Sequence, residues 1–193
     1  MKKLYVSYLL LCLMMSGSAL ATTLVKEDDE SILQRTQYIV TGTVERVDNL
    51  MERDNKPFEY VSFRIAKIYK NNVESPLAQD EKIVIRQIGG TVNGVTLDVA
   101  GLTKFVKDSQ MLLSVTRDEE TGYYYVTGSV QGSYYMVDNT LINDTRASGL
   151  AFAKTSGNGQ MAITSGEVRQ MTLQQMEEKI RRVAAREAEM VEE

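Results

Sequence analysis

The stretch that decides the fold is "YIVTGTVERV", from Tyr38 to Val47. Two interleaved sets of residues alternate along it, and both contain β-formers: Tyr38, Val40, Gly42 and Val44 in one set, and Ile39, Thr41, Thr43 and Glu45 in the other. Successive side chains of a strand point to opposite faces of the sheet. A stretch with β-formers on both faces therefore predicts a central strand with little exposure.

Further strand patterns follow at short spacing. The segment Phe58 to Tyr69 alternates cleanly after "RDNKP", where the residue before the proline is disfavoured in a helix. The later strand patterns are "KIVIRQI", "SQMLLSVTR", "YYYVTGSV" and "SYYMVD", with turn signals between them. Five or more short strands without a long helix predict a small all-β barrel or sandwich over residues 38–138.

Helices are expected at both ends of this domain. Residues 22–37 read as a linker and a short helix, in which Ser31 and Gln34 have the spacing of a capping box. Near the other end, Thr172 and Gln175 form a second such pair, flanked by Met171 and Met176 at the positions of a hydrophobic staple.

The second capping box predicts a helix from about residue 173 to about residue 189, within a segment 172–193 that packs on the barrel. Two pairs at i,i+4 spacing, Glu177 with Arg181 and Glu178 with Arg182, are expected along its exposed side. Between barrel and helix, residues 139–171 are Gly/Ser-rich and weakly β-like, which allows a hairpin turning at residues 157–159.

The first 21 residues have the order of a secretory signal peptide. Two lysines precede an apolar run from Leu4 to Met15, and small residues ending at Ala21 follow. We predict cleavage near Ala21 and a periplasmic or secreted mature chain. No later apolar run is long enough to span a bilayer, so no membrane span is expected after cleavage.

Two missing residue types exclude several chemistries. The only cysteine, Cys12, lies in the predicted leader, and the chain has no histidine. The mature chain therefore cannot build a thiolate or imidazole zinc site, a Ser-His-Asp triad or a disulfide. Removal of Lys2 and Lys3 leaves 20 basic and 26 acidic residues, a net charge of −6, which disfavours nucleic acid as a partner. We assign no catalytic residue, metal or cofactor.

Five tyrosines are the first candidate binding residues: Tyr123, Tyr124, Tyr125, Tyr134 and Tyr135. On adjoining strands they would form an aromatic ladder that offers a stacking platform for a sugar or an extended peptide. The alternative is that the same tyrosines pack across strands and stabilise the sheet. Exposure of Tyr124 and Tyr134 distinguishes the two interpretations.

A glycine-rich stretch, "RQIGGTVNGVTLDVAGL" at residues 86–102, is the second candidate. It lacks the Lys-Ser/Thr pair of a nucleotide P-loop, and a strand pattern rather than a helix follows it. We predict two strands that turn at Asn93-Gly94, with positive φ at the glycines. Gly89 and Gly90 become candidate ligand residues because backbone groups at this rim could receive a strand from a partner.

Three acids support an alternative function, that of an enzyme. Asp98, Asp118 and Glu120 would serve a carboxylate-dependent hydrolase or transferase if they converged on one pocket. The pattern around them lacks the order of a calcium-binding loop, and charged runs of this kind are typical of solvated turns.

The segments "YIVTGTVERV", "YVSFRIAKIYK", "IVIRQIGGTVNGVTLDVAGLTKF" and "YYYVTGSVQGSYYMV", with the closing "MTLQQMEEKIRR", resemble a group of uncharacterised bacterial secreted proteins. That group shares a G-T-V strand, a GG-turn and a G-x-x-Q-G turn in this order. A strand ending in "IYKNNV" after "VTGTV" also resembles the OB-type barrel of netrin-like domains and tissue inhibitors of metalloproteinases. This remote likeness implies an OB-like barrel, closed or partly open. The N-terminal cysteine by which those inhibitors reach the protease metal has no counterpart here.

Taken together, these patterns predict a mainly β protein with an OB-like barrel, a short N-terminal helix and a C-terminal helix. The expected function is non-catalytic binding of an envelope or secreted protein or peptide, with the ligand and the oligomeric state left open. The alternatives are the carboxylate-dependent hydrolase, a netrin-like protease inhibitor, and an envelope structural role in which the C-terminal helix joins protomers.

Overall fold

A computed structural model describes residues 23–146, 150–155 and 161–191. The predicted signal peptide and the predicted turn at residues 157–159 lie outside these ranges. No helix in the described ranges is both long enough and apolar enough to cross a membrane.

The elements in chain order are β1 (Thr23–Val25), α1 (Asp29–Arg35), β2 (Tyr38–Met51), β3 (Pro57–Lys70), β4 (Lys82–Ile88), β5 (Gly90–Val92), β6 (Val95–Leu97), β7 (Gln110–Arg117), β8 (Tyr124–Val126), a 3-10 turn (Ser129–Gly132), β9 (Ser133–Val137), β10 (Thr140–Asp144), β11 (Ala151–Thr155), β12 (Met161–Ser165), β13 (Val168–Thr172) and α2 (Leu173–Val191).

Five strands close into the OB-like barrel that the sequence predicts. Antiparallel pairing joins β7, β2, β3 and β4 in that order. The short strand β8 closes the ring, because it pairs antiparallel with β7 and parallel with β4, where Ile85 lies opposite Tyr124. The mainly β class and the two helices are confirmed.

The core inside the barrel comes from the alternating residues of its strands. Its largest members are fully buried, among them Tyr38, Phe63, Ile65, Ile85 and Met111. Strand β2 is buried on its other face as well, where Ile39 belongs to a second core beneath α2. Burial on both faces explains why both sets of alternating residues in "YIVTGTVERV" contain β-formers.

Gly42 lets β2 and β3 approach closely at one point. An added Cβ at this position would lie 2.1 Å from the backbone carbonyl oxygen of Arg64. The register of the β2–β3 pair shifts between Thr41 and Gly42, so a bulge accompanies the contact. Strands at such a bend favour glycine because no side chain fits between the backbones.

The second core lies outside the barrel, under both helices. Strand β7 pairs with β8 near its end but with β9 near its start, so the sheet branches and continues through β10 to β13. Leu112, Tyr134 and Leu141 from this branch pack against Met176 and other residues of α2. Helix α2 thus covers the branched sheet and one side of the barrel.

The start of α2 matches the sequence prediction. The backbone N–H of Gln175 donates to the Thr172 hydroxyl at 3.2 Å, and the Gln175 side chain accepts from the Thr172 N–H at 2.8 Å. These reciprocal bonds are the capping box, and Met171 and Met176 both lie in the second core.

The first helix begins differently from the prediction. Its N-cap is Asp28, whose side chain accepts from the Ser31 N–H at 2.8 Å, so the expected box of Ser31 with Gln34 is wrong. The acid three residues earlier is already a good N-cap, which leaves Ser31 inside the first turn.

The expected charge pairs along α2 are also replaced. The Glu177 carboxylate accepts from Lys67 of β3 at 2.9 Å, and Arg182 pairs with Glu30 of α1 at 3.3 Å. Pairs within an isolated helix are weak, so partners supplied by the tertiary structure displace them.

One buried carboxylate ties the two helices to the branched sheet. Asp29 of α1 accepts from the Tyr134 hydroxyl at 2.7 Å, from Arg169 of β13 at 2.5 Å and from Lys179 of α2. Its side chain is only 9% exposed. Burial raises the pKa of Asp29, but hydrogen bonds from Lys179 and Tyr134 and the two positive charges outweigh that effect and hold the pKa below its ordinary value.

A separate three-stranded sheet joins β1, β11 and β12. Strands β11 and β12 pair antiparallel from Ala151 opposite Ser165 to Thr155 opposite Met161, while β1 runs parallel to β11. Phe152 and Leu150 are buried against Val130 of the 3-10 turn, with Leu24 beside them. This small core attaches the N-terminal strand to the Gly/Ser-rich segment.

Candidate functional site

The five candidate tyrosines do not form a ladder. Tyr124 is 8% exposed and belongs to the barrel core, where its ring meets Tyr38 edge-on at 5.7 Å. Tyr134 is 3% exposed and donates to Asp29. The stacking interpretation is wrong for these two, because the register of β7 directs Tyr124 into the barrel and Tyr134 under α2. Burial raises the pKa of Tyr134 far above its ordinary range.

Tyr135 is also withdrawn from the surface in part. It packs against the barrel core, and its hydroxyl donates to the backbone carbonyl of Lys104. Burial raises the pKa of its hydroxyl. Its strand β9 pairs with the opposite end of β7 from β8, which separates Tyr135 from Tyr123 and Tyr125.

The remaining two tyrosines lie on the outside of the barrel. Tyr125 is 47% exposed, since Tyr124 beside it points inward. Tyr123 is half-buried, and its ring meets the Tyr60 ring of β3 at 5.3 Å with an interplanar angle of 78°. Edge-to-face pairs of this kind hold aromatic rings in a defined orientation.

These tyrosines belong to a larger outward surface that the sequence analysis did not single out. We call it the aromatic face: Phe58 and Tyr60 of β3, Arg86 of β4, and Tyr123 and Tyr125 at β8. Tyr60 lies directly opposite Arg86 in the β3–β4 pair. The alternating pattern of β3 puts Tyr60 on the other face of the strand from the buried Val61, and this pattern was the sequence signal for the aromatic face.

A guanidinium lies at the centre of the aromatic face. The Arg86 side chain stacks over the Phe58 ring, 4.0 Å from its centroid. Its Nε and Nη2 donate to the two carboxylate oxygens of Glu52 at 2.7 and 2.6 Å. The Tyr60 hydroxyl donates to the same carboxylate at 2.6 Å. These contacts fix a planar charged group among aromatic rings.

The protonation states of this cluster follow from its hydrogen bonds. The hydrogen bonds from Arg86 and then from Tyr60 lower the pKa of Glu52. The hydrogen bonds to Glu52 raise the pKa of Arg86 well above its ordinary value. Burial and the Glu52 carboxylate raise the pKa of Tyr60. The cluster therefore stays a carboxylate, a guanidinium and a neutral phenol throughout the neutral pH range.

The glycine-rich stretch adjoins the aromatic face. Gly89 follows β4 directly and donates its N–H to the Pro57 carbonyl at 2.9 Å. Gly89 and Gly90 have φ of 134° and 98°, and Asn93 and Gly94 have φ of 50° and 80° in the turn between β5 and β6. The predicted hairpin and positive φ are confirmed. The second strand is shorter than "VTLDVAGL" suggested, because pairing ends at Leu97.

A pocket of about 270 Å³ lies under this hairpin at one mouth of the barrel. Gly89, Gly90, Glu59, Gln87 and Thr103 are among its lining residues. The Gln87 amide donates to the Glu59 carboxylate at 2.6 Å and to the Thr103 carbonyl at 2.8 Å. These bonds hold the side chains of Glu59 and Gln87 in place in the lining.

Of the three acids of the hydrolase alternative, Asp118 and Glu120 share the turn between β7 and β8, whereas Asp98 follows β6. Asp98 pairs with Lys104 at 2.7 Å after β6, and both side chains are exposed. Asp118 lies in the turn between β7 and β8, where it accepts from the N–H groups of Glu120 and Thr121. Hydrogen bonds from Thr121 and Glu120 lower the pKa of Asp118. Within the described ranges, no group of three or more Asp or Glu residues could hold a metal ion.

Comparison of this chain with known protein families, with curated proteins and with solved structures finds no match.

Proposed function

We propose that this protein acts outside the cytoplasm as a non-catalytic binding module whose aromatic face receives an extended segment of another protein. The observation that carries the proposal is the aromatic face itself, where Phe58 and Tyr60 lie beside one fixed guanidinium and Tyr123 packs against Tyr60. Tyrosine and arginine are enriched in binding hot spots, and tyrosine offers a large contact area with few rotatable bonds to order. The predicted signal peptide supports the location.

The position of the face in the barrel also supports binding. The face covers the outer surface of β3 and β4 and is flanked by the turns at residues 52–56 and 118–123. OB-type barrels use this region for extended ligands. The likeness is one of fold alone, so the proposal depends on the side chains rather than on the barrel.

Charge makes a polyanion an unfavourable ligand for the aromatic face. The net charge of −6 without the leader repels polyanions. Glu119 and Glu120 are exposed in the turn that borders the face, beside Tyr123. An extended peptide with apolar side chains for Tyr123 and Tyr125 meets no such repulsion.

The proposal is tested with peptides selected from a random phage-displayed library on the immobilised chain without its leader. Fluorescence anisotropy then gives the Kd of each peptide for wild type and for Tyr125→Ser. Removal of an exposed hot-spot tyrosine is expected to weaken binding about tenfold or more. Val137→Ser is the matched control, because Val137 is 55% exposed on β9, a strand that does not contribute to the face. Peptides that bind both variants as well as wild type would show that the face is not the binding surface.

A further inference from the structure

We propose that Arg86 recognises a carboxylate of the bound segment, and that Glu52 occupies this position in the free protein as an intramolecular stand-in. The inference rests on the proposed function and narrows its ligand to an extended peptide that carries Asp or Glu between apolar residues.

The geometry around Arg86 is that of a carboxylate receptor. Two parallel N–H donors of the guanidinium and the Tyr60 hydroxyl converge on one carboxylate group, all at 2.6–2.7 Å. The Phe58 ring supports the guanidinium from one side. A planar fork that is held in place loses little entropy when it binds, and its two donors match both oxygens of a carboxylate.

The present occupant comes from a turn, and its side chain can leave without a change of backbone. Glu52 is the first residue after β2, and its N–H donates to the Lys56 carbonyl at 3.1 Å while its own carbonyl accepts from Asn55 at 3.0 Å. These turn bonds do not involve the carboxylate. Rotation of the side chain alone therefore exposes Arg86 to a ligand.

The cluster around Arg86 is more exposed to solvent than the structural cluster around Asp29. The side chains of Arg86 and Glu52 are 26% and 28% exposed, whereas Asp29 is 9% exposed beneath two helices. The Arg86–Glu52 pair is thus in contact with solvent, from which an external carboxylate can compete with Glu52 for the guanidinium.

The ligand class follows from what surrounds the guanidinium. Tyr123 and Tyr125 add aromatic rings to the face beside Arg86. A ligand with one acid and apolar neighbours fits this arrangement, whereas a polyanion finds only one guanidinium on the aromatic face. Glu52 lowers the apparent affinity by the fraction of time that it occupies Arg86.

The test uses two labelled, blocked pentapeptides, Ser-Leu-Glu-Leu-Ser and its Gln counterpart, with wild type, Glu52→Gln, Arg86→Gln and Tyr125→Ser. Glu52→Gln keeps the shape of the side chain and removes its charge. It is expected to bind the Glu peptide about fivefold more tightly than wild type does, with a change of less than about twofold for the Gln peptide. Arg86→Gln should abolish the preference for Glu over Gln.

The Nε–H signal of Arg86 in nitrogen-15 spectra shows whether the peptide binds at Arg86. Circular dichroism checks that each variant is folded. The signal should shift with the Glu peptide in Glu52→Gln and stay unchanged with the Gln peptide. Equal affinity for both peptides in Glu52→Gln, or no binding of the Glu peptide to it, overturns the inference. If both peptides bind equally and Tyr125→Ser weakens both, the proposed function survives while the inference fails.

Discussion

Replacement of Asp29 by asparagine tests how the two helices are held on the branched sheet. The side chain keeps one acceptor oxygen, which serves the Tyr134 hydroxyl and Arg169. The oxygen that faces Lys179 becomes an amide, which also donates, so two donors then oppose each other. Arg169 and Lys179 lose the anion that neutralises them.

The expected loss can be worked from burial. Removing one member of a buried ion pair costs about 3–5 kcal/mol, because the other charge is left unpaired. Here the side chains of Arg169 and Lys179 are 19% and 28% exposed to solvent, so water partly replaces the lost partner. We expect Asp29→Asn to lower the free energy of unfolding by about 2–3 kcal/mol.

Urea denaturation of the chain without its leader, followed by far-ultraviolet circular dichroism at pH 6.5, measures this loss. With a slope of about 2 kcal/mol per molar urea, the midpoint should fall by about 1–1.5 M. Asp28→Asn is the matched control: it removes the same charge one residue earlier, where the exposed side chain only caps the helix. Asparagine caps as well as aspartate, so this control should change stability by less than about 0.5 kcal/mol.

The same pair of variants gives a pH dependence of known sign. The pKa of Asp29 is lower in the folded protein than its ordinary value of 3.8. Its stabilising contribution is therefore complete above that value and is lost as the pH falls below it. The difference between wild type and Asp29→Asn should therefore be constant at neutral pH and shrink as the pH falls below about 4. A midpoint shift no larger than that of Asp28→Asn, or a difference that does not depend on pH, would refute the reasoning.

Three further predictions are checked by the same denaturation measurement. Gly42→Ala should prevent the barrel from folding because its Cβ would lie 2.1 Å from a β3 carbonyl. Gly94→Ala has open space around its Cβ and should lower the free energy of unfolding by about 1 kcal/mol because of its positive φ. Equal losses for the two variants would contradict this. Tyr124→Ala should cost about 3 kcal/mol and the exposed Tyr125→Ala under about 1 kcal/mol; the reverse order would be inconsistent with the core. Thr172→Ala should cost about 1 kcal/mol through the lost cap, and no loss would mean that the box is dispensable.

Several features that depend only on neighbours in the chain were predicted correctly, although the box of Ser31 with Gln34 was not, because Asp28 caps α1 instead. The capping box of Thr172 and Gln175 needs only three residues of spacing, and the structure contains both of its hydrogen bonds. The turn at Asn93-Gly94 is similarly local, because only these residue types adopt two successive positive φ values at low cost. The mainly β class followed from strand patterns of the same short range.

The candidate site was harder to predict, because its residues come from four separate segments of the chain. Tyr60, Arg86 and Tyr123 meet only when β3, β4 and β8 lie side by side, and Glu52 joins them from a turn. No spacing along the chain relates these positions. The tyrosine cluster was the visible signal, but it mixed residues that face in different directions.

The chain by itself determined where the barrel strands, the turn at Asn93-Gly94 and the C-terminal helix lie, since periodicity, caps and glycine conformations act over a few residues. The tertiary structure alone decided which side of each strand became the interior. Closure through β8 buries Tyr124 and exposes Tyr125, and the branch at β7 buries Tyr134 beneath α2. It likewise decided the charge pairs: Lys67 with Glu177 and Arg182 with Glu30 replace the pairs expected within the helix. Burial and ion pairing depend on distances across the fold, and local sequence does not contain those distances.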